Sequence, residues 1–452
     1  MKLNDFKNKR ILILGLGKEG IDSFLFLRKI RAAGGWRPKK VLGVGDIINV
    51  KNIIKKDKRI KWHLGKDYLK AVKDYDLIIK SPGIPIHLPE IKRAQKKGKI
   101  TSQTEIFFEN CPAKIIGITG TKGKGTTAQL IYEILKQKGL KVHLIGNMGK
   151  PALSYLLQAR ANDIFVYELS SHQLCNLKKS PHIAVILNIF PDHLDYFQNF
   201  KEYVKTKENI AKYQGKEDYL IFNSEDKIVR KIAKKSKAKK NPFNRKLENS
   251  FKNLSSKINT QNIAAAFLVG KLFRVSKAEL KKAVKKFKSM PHRLELVGNY
   301  QSREFYNDSA STIPESTIFA LDILGNKVQT LILGGSDKKL DFKNLAQKII
   351  KSKVKTLILF PPTGKKIWQE IEKISRLNLP KPFFVNPVRN QKSSNGVNNM
   401  KEVVRLAYQY TQKRKICLLS PASASFGIFN DYKERGNLFK KFVKLYAKKF
   451  SV

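Results

Sequence analysis

Short apolar runs, separated by stretches with helical periodicity, recur along the whole chain. The runs lie at residues 10–14, 41–44, 77–79, 115–118, 164–167, 183–187, 294–297, 330–333, 356–360 and 416–419. Their length suits buried strands, whereas the stretches between them repeat apolar residues three or four positions apart. Because strands that alternate with helices build parallel sheets, the pattern predicts an α/β fold.

The length of the chain predicts more than one folded unit. With 452 residues, it exceeds what a single hydrophobic core usually supports. The apolar runs fall into three series, and we expect three α/β domains at residues 1–110, 111–290 and 291–452. Residues 386–399 are polar and poor in core residues, so they predict a loop insertion without a chemical role.

The composition indicates a soluble globular protein of a reducing compartment. Hydrophobic residues make up 42% of the chain, and no apolar run is long enough to cross a bilayer. The first apolar run is short and leads into a glycine-rich loop, so we expect a strand there and not a signal peptide. Cys111, Cys175 and Cys417 lie far apart without metal-ligand spacing, which favours free thiols and a cytoplasmic location.

The chain is strongly basic, with 90 Lys and Arg against 36 Asp and Glu and a formal charge of +54. Such a charge attracts polyanions, so a nucleic-acid-binding protein is one alternative. The lysines are nevertheless spread over the whole sequence, without a recognisable nucleic-acid-binding motif. We therefore interpret them mainly as solvated faces, and no sequence feature accounts for so high a charge.

A turn rich in glycine and threonine follows the run at 115–118. It is formed by Gly120, Thr121, Lys122, Gly123, Lys124, Gly125, Thr126 and Thr127. Between a strand and a helix, backbone N–H groups and the helix dipole bind phosphate, a lysine reaches the β- and γ-oxygens, and a hydroxyl ligates Mg²⁺. The turn therefore predicts ATP and Mg²⁺ binding in a central P-loop-type ATPase domain with a mostly parallel sheet.

This turn departs from the strict Walker pattern at two positions. Ile118 replaces the first glycine of the pattern, and Gly125 stands where a serine or threonine follows the lysine. Thr126 is then expected to supply the hydroxyl for Mg²⁺. Taken alone, the turn is also compatible with an ordinary loop in a lysine-rich chain.

Residues 117–124 resemble the ATP loop of the Mur ligase family, which includes folylpolyglutamate synthetases. Further segments agree with the family in the same order, over nearly the full length of the chain. They are Gly146-Asn147-Met148-Gly149, Glu168-Leu169-Ser170-Ser171, residues 188–195, Tyr203-Val204-Lys205-Thr206-Lys207, Asn262, Pro291-His292-Arg293 and Asn307-Asp308-Ser309.

The resemblance implies a reaction in which ATP phosphorylates a substrate carboxylate, and an amine attacks the acyl phosphate to give an amide, ADP and phosphate. It implies that Glu168 holds the Mg²⁺ on the phosphates, that His193 binds a second Mg²⁺ and that Lys207 is carbamylated by CO₂. A carbamate is negatively charged, so it supports Mg²⁺ where an ammonium would repel it. Lys124, His193 and Lys207 are the expected catalytic residues, and Lys205 is an alternative to Lys207.

The resemblance also implies nucleotide contacts outside the loop. Asn262 is one of them, Arg293 would bind phosphate oxygens with its guanidinium group, and Asp308 would contact the ribose. Arg293 and Asp308 belong to the expected third domain. We therefore expect the third and central domains to close on ATP together and to exclude water from the acyl phosphate.

The first glycine-rich loop, Gly15-Leu16-Gly17-Lys18-Glu19-Gly20, follows a predicted strand, and Asp46 ends the next one. By itself, this pattern is typical of dinucleotide binding in a Rossmann-like domain. Because the chain has a second nucleotide loop and no recognisable dehydrogenase residues, we expect a UDP-sugar diphosphate there instead. The loop Ser81-Pro82-Gly83-Ile84-Pro85 resembles the UDP-binding segment of the D-glutamate-adding Mur ligases. The expected contacts are Gly17, Lys18, Asp46, Ser81, Pro82, Gly83 and Asn147.

The C-terminal domain, also expected to be Rossmann-like, carries the segment 420–426, which resembles the D-glutamate pocket of the same ligases. The expected amino-acid contacts are Thr312, Lys338, Ser425 and Phe426, whereas Ala310 replaces a lysine that some members have. The resemblance thus implies UDP-N-acetylmuramoyl-L-alanine and D-glutamate as substrates in peptidoglycan precursor synthesis. Ligases that add L-alanine or a diamino acid, and folylpolyglutamate synthetases, stay open as alternatives. We expect a monomer.

Overall fold

The computed structural model describes residues 2–32, 42–47, 60–146, 149–194, 196–251, 254, 258–287, 291–338, 340–375, 377, 379–385 and 395–449. This part of the chain forms three sheets and divides into two compact units. One unit comprises residues 1–191 and 196–287, and the other comprises residues 192–195 and 288–452. The predicted α/β fold with mostly parallel sheets is confirmed.

The first sheet has the strand order β3-β2-β1-β4-β5, with all neighbouring strands parallel. Its domain contains β1 (Ile11–Leu14), α1 (Lys18–Ala32), β2 (Leu42–Asp46), β3 (Ile60–Leu64), β4 (Leu77–Lys80), α2 (Pro89–Lys96), β5 (Ile100–Thr101) and α3 (Gln103–Asn110). β1 and β4 are buried along their whole length. The order reverses beside β1, so the carboxyl ends of β1 and β4 border the crevice where such sheets bind ligands.

The second sheet lies in the same unit and has the order β11-β10-β9-β6-β8-β7, again with parallel neighbours. Its strands and early helices are β6 (Lys114–Thr119), α4 (Lys124–Gln137), β7 (Val142–Gly146), α5 (Leu153–Leu156), β8 (Ile164–Glu168), α6 (Ser171–Leu174), β9 (Ile183–Ile186) and α7 (Phe200–Lys212). The later elements are β10 (Tyr219–Asn223), α8 (Lys227–Lys235), β11 (Lys239–Phe243), α9 (Arg245–Asn249), α10 (Thr260–Leu272) and α11 (Lys277–Lys286). β6 lies between β8 and β9, so loops from all three strands meet at its carboxyl end.

The C-terminal unit contains the sheet β12-β13-β17-β14-β15-β16, in which only the pair β12–β13 is antiparallel among the described strands. Its elements are β12 (Glu295–Tyr300), β13 (Arg303–Asn307), α12 (Pro314–Leu324), β14 (Val328–Gly334), α13 (Lys343–Ile350), β15 (Thr356–Phe360), α14 (Thr363–Ile374), β16 (Lys381–Phe384), α15 (Asn395–Tyr410), β17 (Ile416–Leu419) and α16 (Tyr432–Lys449). Among the described helices, none is long and apolar enough to span a bilayer.

The prediction of a loop at 386–399 is wrong for its last part. Residues 395–399 belong to α15, whereas 386–394 lie outside the described residues. The apolar residues that this helix buries include Met400, Val403 and Ala407, whereas its first five residues, 395–399, are mostly polar in sequence. Polar residues at a helix start therefore looked like a continuation of the loop.

Candidate active site

The glycine- and threonine-rich turn connects β6 to α4, which begins at Lys124. Gly120 and Gly123 have φ angles of 155° and 84°, in the region that favours glycine. A Cβ atom on Gly123 would lie 2.3 Å from Oδ1 of Asn262, so the nucleotide contact expected on α10 packs against the turn itself. The turn thus ends at the N–H groups of a helix N-terminus, as in anion-binding loops.

Lys124 folds back across this turn. Its Nζ donates hydrogen bonds to the carbonyl oxygens of Gly120 at 3.0 Å and Thr121 at 3.1 Å. The ammonium group is therefore held over the backbone that would surround a phosphate. This is the location from which a lysine neutralises β- and γ-phosphate oxygens.

Residues of two neighbouring segments hold the turn through hydrogen bonds to its backbone and to the hydroxyl of Thr121. Thr121 N donates to Asn188 O at 2.8 Å, and Lys122 N donates to Asn188 Oδ1 at 2.8 Å. The hydroxyl of Thr121 lies 3.0 Å from that of Tyr203 on α7. The motif residues Asn188 and Tyr203 therefore shape the loop, a role that the sequence did not reveal.

Glu168 is the last residue of β8 and pairs in register with Ile118 of β6. It is buried, and its Oε2 has no hydrogen-bond partner among the described residues. The hydroxyl of Thr127, on the first turn of α4, is also buried without such a partner, whereas Thr126 is half-buried. A buried, unpaired carboxylate is costly unless a cation accompanies it.

This arrangement fits a Mg²⁺ ion bound mainly through phosphate. Such an ion commonly uses one or two carboxylates and retains water and phosphate oxygens as its other ligands. Within the described ranges, no group of three His, Cys, Asp or Glu side chains could hold a metal by itself. The buried carboxylate of Glu168, whose Oε2 lacks a partner among the described residues, is therefore suited to a nucleotide-bound ion and not to a protein-only metal cage.

Lys207 and its alternative Lys205 differ sharply in environment. Lys207 is 1% exposed, whereas Lys205 is exposed on the same helix. The Nζ of Lys207 donates to Gly120 O at 2.9 Å and to Thr119 Oγ1 at 3.3 Å, and it lies 4.9 Å from the ring centre of Tyr203. Of the two lysines, Lys207 is the one that reaches the phosphate turn, that is, the glycine- and threonine-rich turn at residues 120–127.

His193 has a φ of 54°, and its Nε2 lies 3.6 Å from Asp192. Residues 192–195 group with the C-terminal unit and not with the unit that holds the turn. The role of His193 in binding a second Mg²⁺ therefore stays a prediction.

The first glycine-rich loop is shaped by close backbone packing. Gly15 has a φ of 86°, and a Cβ on Gly20 would lie 2.0 Å from Gly15 O, so both positions require glycine. Asp46 Oδ2 accepts a hydrogen bond from Leu16 N at 2.6 Å. A Cβ on Gly17 would meet open space, which leaves the loop accessible.

The second loop of this crevice follows β4. Ser81 Oγ donates to Gly15 O at 2.6 Å, which joins the two loops, and Gly83 borders open space. The expected contacts Gly17, Lys18, Asp46, Ser81, Pro82 and Gly83 therefore lie after adjacent strands at one edge of the sheet. Asn147 lies outside the described residues.

Asp308 in the C-terminal unit is buried and internally bonded. Its carboxylate accepts hydrogen bonds from Ser420 Oγ at 2.7 Å and Leu294 N at 3.1 Å. Burial raises its pKa, and hydrogen bonds from Ser311 and Ser420 together with the charge of Arg293 act in the opposite direction. Asp308 thus fixes this segment, and its contact with a ribose stays a prediction, as does that of Arg293 with phosphate.

Three of the expected amino-acid contacts, Lys338, Ser425 and Phe426, lie on two segments that are hydrogen-bonded to each other. Ser336 N donates to Ala424 O at 2.8 Å, which joins the segment before Lys338 to the segment that contains Ser425 and Phe426. Ser425 is buried, whereas Phe426 is 62% exposed and Thr312 is half-buried.

Arg435 connects this region to Asp308 and was not predicted. It is fully buried, and its guanidinium group donates to Ser309 O at 2.9 Å and to Ser423 O at 3.2 Å. Burial lowers its pKa to about 9, although the charge of Asp308 raises it. No local pattern distinguishes this arginine within the basic helix α16.

Comparison with known proteins decides the family. Residues 9–101 match the MurD-like N-terminal domain of Mur ligases, and residues 118–303 match the Mur ligase middle domain. The chain is 35% identical to the UDP-N-acetylmuramoylalanine–D-glutamate ligase of Acetivibrio thermocellus, over 98% of each chain. It is 34% identical to the ligase of the same name from Clostridium acetobutylicum, over 97% of this chain and 96% of the relative. The chain belongs to the Mur ligase family.

Solved structures of Mur ligases share the fold. The UDP-N-acetylmuramate–alanine ligase of Thermotoga maritima aligns with a TM-score of 0.59 at 15% identity, over 98% of this chain and all of that one. The MurF ligase of Thermotoga maritima, solved in complex with ADP, aligns with a TM-score of 0.56 at 16% identity, over 98% of this chain and 97% of that one. At these identities the similarity concerns the fold alone.

Besides Arg435, two further buried charged residues of this Mur ligase were not predicted as part of a site. Lys80 ends β4 and is 3% exposed, and burial lowers its pKa to about 8, although Cys175 and Glu19 raise it. Burial also raises the pKa of Glu19 to about 7, against the hydrogen bond from Gln173 and the charge of Lys80. Each residue stands in or beside a predicted motif, but only the structure shows that its charge is buried.

Proposed function

We propose that this Mur ligase joins D-glutamate to UDP-N-acetylmuramoyl-L-alanine at the expense of ATP, in the synthesis of peptidoglycan precursors. The observation that carries this proposal is the identity of about one third, over nearly the full length of both chains, to relatives with that name. The geometry of the phosphate turn supports it, because amide formation from a free carboxylate requires activation by ATP.

The turn at 120–127 binds the nucleotide phosphates through its backbone N–H groups, and Lys124 exchanges its carbonyl partners for phosphate oxygens. Asn262, Arg293 and Asp308 contact the nucleotide. Transfer of the terminal phosphoryl group to the substrate carboxylate gives an acyl phosphate, and the amine of D-glutamate displaces phosphate to form the amide. The work of the chain is alignment and charge neutralisation of groups that repel one another.

Glu168 and the hydroxyl of Thr126 would hold the Mg²⁺ that accompanies the phosphates, and His193 together with a carbamylated Lys207 would hold a second ion. Bound Mg²⁺ supplies neutralisation of the charge on the transferred phosphoryl group. Glu168 is suited to this role because its buried Oε2 lacks a partner among the described residues. Lys207 is suited because its Nζ already reaches the backbone of the turn.

The crevice at the carboxyl ends of β1 and β4 binds the sugar nucleotide, through Gly17, Lys18, Asp46, Ser81, Pro82, Gly83 and Asn147. In the C-terminal unit, Thr312, Lys338, Ser425 and Phe426 bind D-glutamate, with the cation of Lys338 facing a carboxylate of the amino acid. The protein acts as a monomer in the cytoplasm.

An activity assay with defined products tests this function. The purified protein is supplied with ATP, Mg²⁺, UDP-N-acetylmuramoyl-L-alanine and single amino acids, and the products are weighed by mass spectrometry. We expect product with D-glutamate only, and its loss in Lys124→Ala. Lys136→Ala is the control, because it removes a lysine at an exposed position of the same helix, α4, outside the turn. Product from L-alanine and UDP-N-acetylmuramate would contradict the proposal, and so would the absence of product with every amino acid tested.

A further inference from the structure

Lys80 is a buried cation at the edge of the sugar-nucleotide crevice. It ends β4, pairs in register with Leu14 of β1 and is 3% exposed. Burial of an ammonium group without compensation is costly, so its surroundings must supply acceptors. The chain therefore retains a charge where an apolar residue would complete the strand.

The ammonium group is bound by the loop that follows it. Nζ of Lys80 donates to Ser81 O at 3.1 Å and to Ile84 O at 2.9 Å. These two carbonyls belong to the first and last residues of the Ser81-Pro82-Gly83-Ile84 turn, so the lysine connects the two ends of the turn. The turn also has a backbone hydrogen bond of its own, from Ile84 N to Ser81 O at 3.2 Å, whereas Pro82 has no N–H group to donate.

The same loop is connected to the first glycine-rich loop and to the central domain. Ser81 N donates to Leu14 O at 2.9 Å, and Ser81 Oγ donates to Gly15 O. The hydroxyl of Tyr196, which follows β9 in the central domain, donates to Ile84 O at 3.0 Å. Ile84 O thus accepts one hydrogen bond from each domain of this compact unit.

Glu19, which interacts electrostatically with Lys80, is hydrogen-bonded to the central domain. It lies on the first turn of α1, and its Oε1 accepts a hydrogen bond from Gln173 Nε2 at 2.6 Å. Gln173 Oε1 in turn accepts a hydrogen bond from Ser170 N at 2.8 Å, two residues after Glu168. One chain of polar contacts therefore extends from the sugar-nucleotide loops to the turn that follows the expected Mg²⁺ ligand.

We infer that Lys80 is a positioning residue for the sugar-nucleotide substrate, which fixes the Ser81–Ile84 loop through two backbone carbonyls. This inference rests on the proposed function of the crevice. A cation behind a diphosphate site also makes the local potential favourable for an anion, without direct contact. Lys80 therefore acts on substrate affinity through the loop, and not on phosphoryl transfer.

The variant Lys80→Met tests this role, because methionine retains much of the side-chain volume without donors or charge. We expect the KM for UDP-N-acetylmuramoyl-L-alanine to rise about tenfold, from the loss of two hydrogen bonds and a charge. The KM values for ATP and D-glutamate and the kcat should change by less than about twofold. Lys99→Met is the matched control, since Lys99 of the same domain donates to a single carbonyl, Tyr75 O, away from both loops.

Tyr196→Phe is an independent variant, because it removes the other donor to Ile84 O and leaves Lys80 intact. It should raise the same KM in the same direction, and it remains informative if Lys80→Met fails to fold. Equal losses in all three KM values and in kcat, or equal behaviour of Lys80→Met and Lys99→Met, would overturn the inference.

Calorimetric titration with UDP-N-acetylmuramoyl-L-alanine separates this inference from the proposed function. If the wild-type protein binds this molecule but forms no product, the proposed reaction fails, and weaker binding by Lys80→Met still supports the positioning role. If the wild-type protein does not bind it, both the proposed function and the inference are overturned.

Discussion

The hydroxyl of Tyr203 lies 3.0 Å from that of Thr121, although 82 residues separate them in the chain. Thr121 Oγ1 also accepts a hydrogen bond from Phe190 N at 3.1 Å. The phosphate turn is thus fixed by α7 on one side and by the segment after β9 on the other. Because Lys207 lies one turn further along α7 and bonds Gly120 O, a single helix holds two consecutive residues of the loop.

Tyr203→Phe removes only this hydroxyl. We expect the KM for ATP to rise about fivefold, since one buried hydrogen bond contributes about 1 kcal/mol to the order of the loop. The KM for the sugar nucleotide should not change. Steady-state kinetics with each substrate varied in turn measure the effect, and Tyr213→Phe, at an exposed tyrosine after the same helix, is the control. An unchanged KM for ATP would show that the loop needs no support from α7.

Glu168→Gln should separate stability from activity. A buried carboxylate whose Oε2 lacks a partner among the described residues destabilises the folded chain, so the neutral amide should raise the melting temperature in the absence of nucleotide. The same change should lower kcat by about a hundredfold or more, because the amide binds Mg²⁺ poorly. Thermal unfolding and turnover are measured on one preparation. A variant that turns over normally would remove Glu168 from the metal site.

The two neighbouring lysines of α7 give a direct comparison. Lys207→Gln should abolish most turnover, whereas Lys205→Gln, at an exposed position, should retain it within about twofold, as exposed charges contribute little. Intact-mass analysis in bicarbonate buffer then tests for added CO₂ on the wild-type chain. Loss of turnover in the Lys205 variant alone would reverse the assignment.

Stability should depend on pH through Glu19. Burial raises the pKa of Glu19 to about 7 from 4.5, so between these values the folded chain binds more protons than the unfolded chain. Its contribution to stability is therefore present at low pH and is lost as the pH rises towards 7. Each pKa unit corresponds to about 1.4 kcal/mol, which gives a loss of about 3 kcal/mol over this range.

Glu19→Gln should remove this loss, so the stability of the variant should exceed that of the wild type at pH 8 by more than at pH 5. Urea unfolding at several pH values measures the difference. Lys80 and Asp22, whose charges also act on the pKa of Glu19, are the same in both proteins, so the difference between the two pH profiles reports Glu19. Parallel pH profiles for the two proteins would contradict this account.

Arg435→Met should destabilise the C-terminal unit by about 3 kcal/mol, because it leaves the buried acceptors of Ser309 and Ser423 without their donor. Hydrogen exchange should show the loss of protection in the segments 307–312 and 420–426. Arg405→Met is the control, since its partner Glu402 lies on the same exposed helix face, and it should cost less than about 1 kcal/mol. Equal effects of the two variants would show that the buried guanidinium has no special role.

The elements of the fold could be predicted from the sequence because their signals are local. The runs at 115–118 and 183–187 lie within β6 and at β9, and the phosphate turn stands between a strand and a helix as expected. The start of α15 at Asn395 was missed because its first five residues, Asn-Gly-Val-Asn-Asn, are mostly polar and show no apolar periodicity.

The contacts that shape the site could not be predicted in this way. Gln173 and Glu19 are 154 residues apart, and nothing in either segment indicates the other. The burial of Lys80 depends on β4 lying between β1 and β5, which is a property of the folded sheet. Motifs therefore identified candidate residues, whereas the buried charges of Lys80 and Glu19 are a result of tertiary packing that the sequence does not indicate.

The ammonium group of Lys124 already has backbone partners within the phosphate turn. Its hydrogen bonds to Gly120 O and Thr121 O satisfy the cation internally, so an incoming anion must compete with two carbonyl dipoles. A triphosphate is suited to this competition because it provides several charged oxygens at once. Phosphate binding at this loop would therefore include turning the Lys124 side chain away from the backbone carbonyls that it bonds.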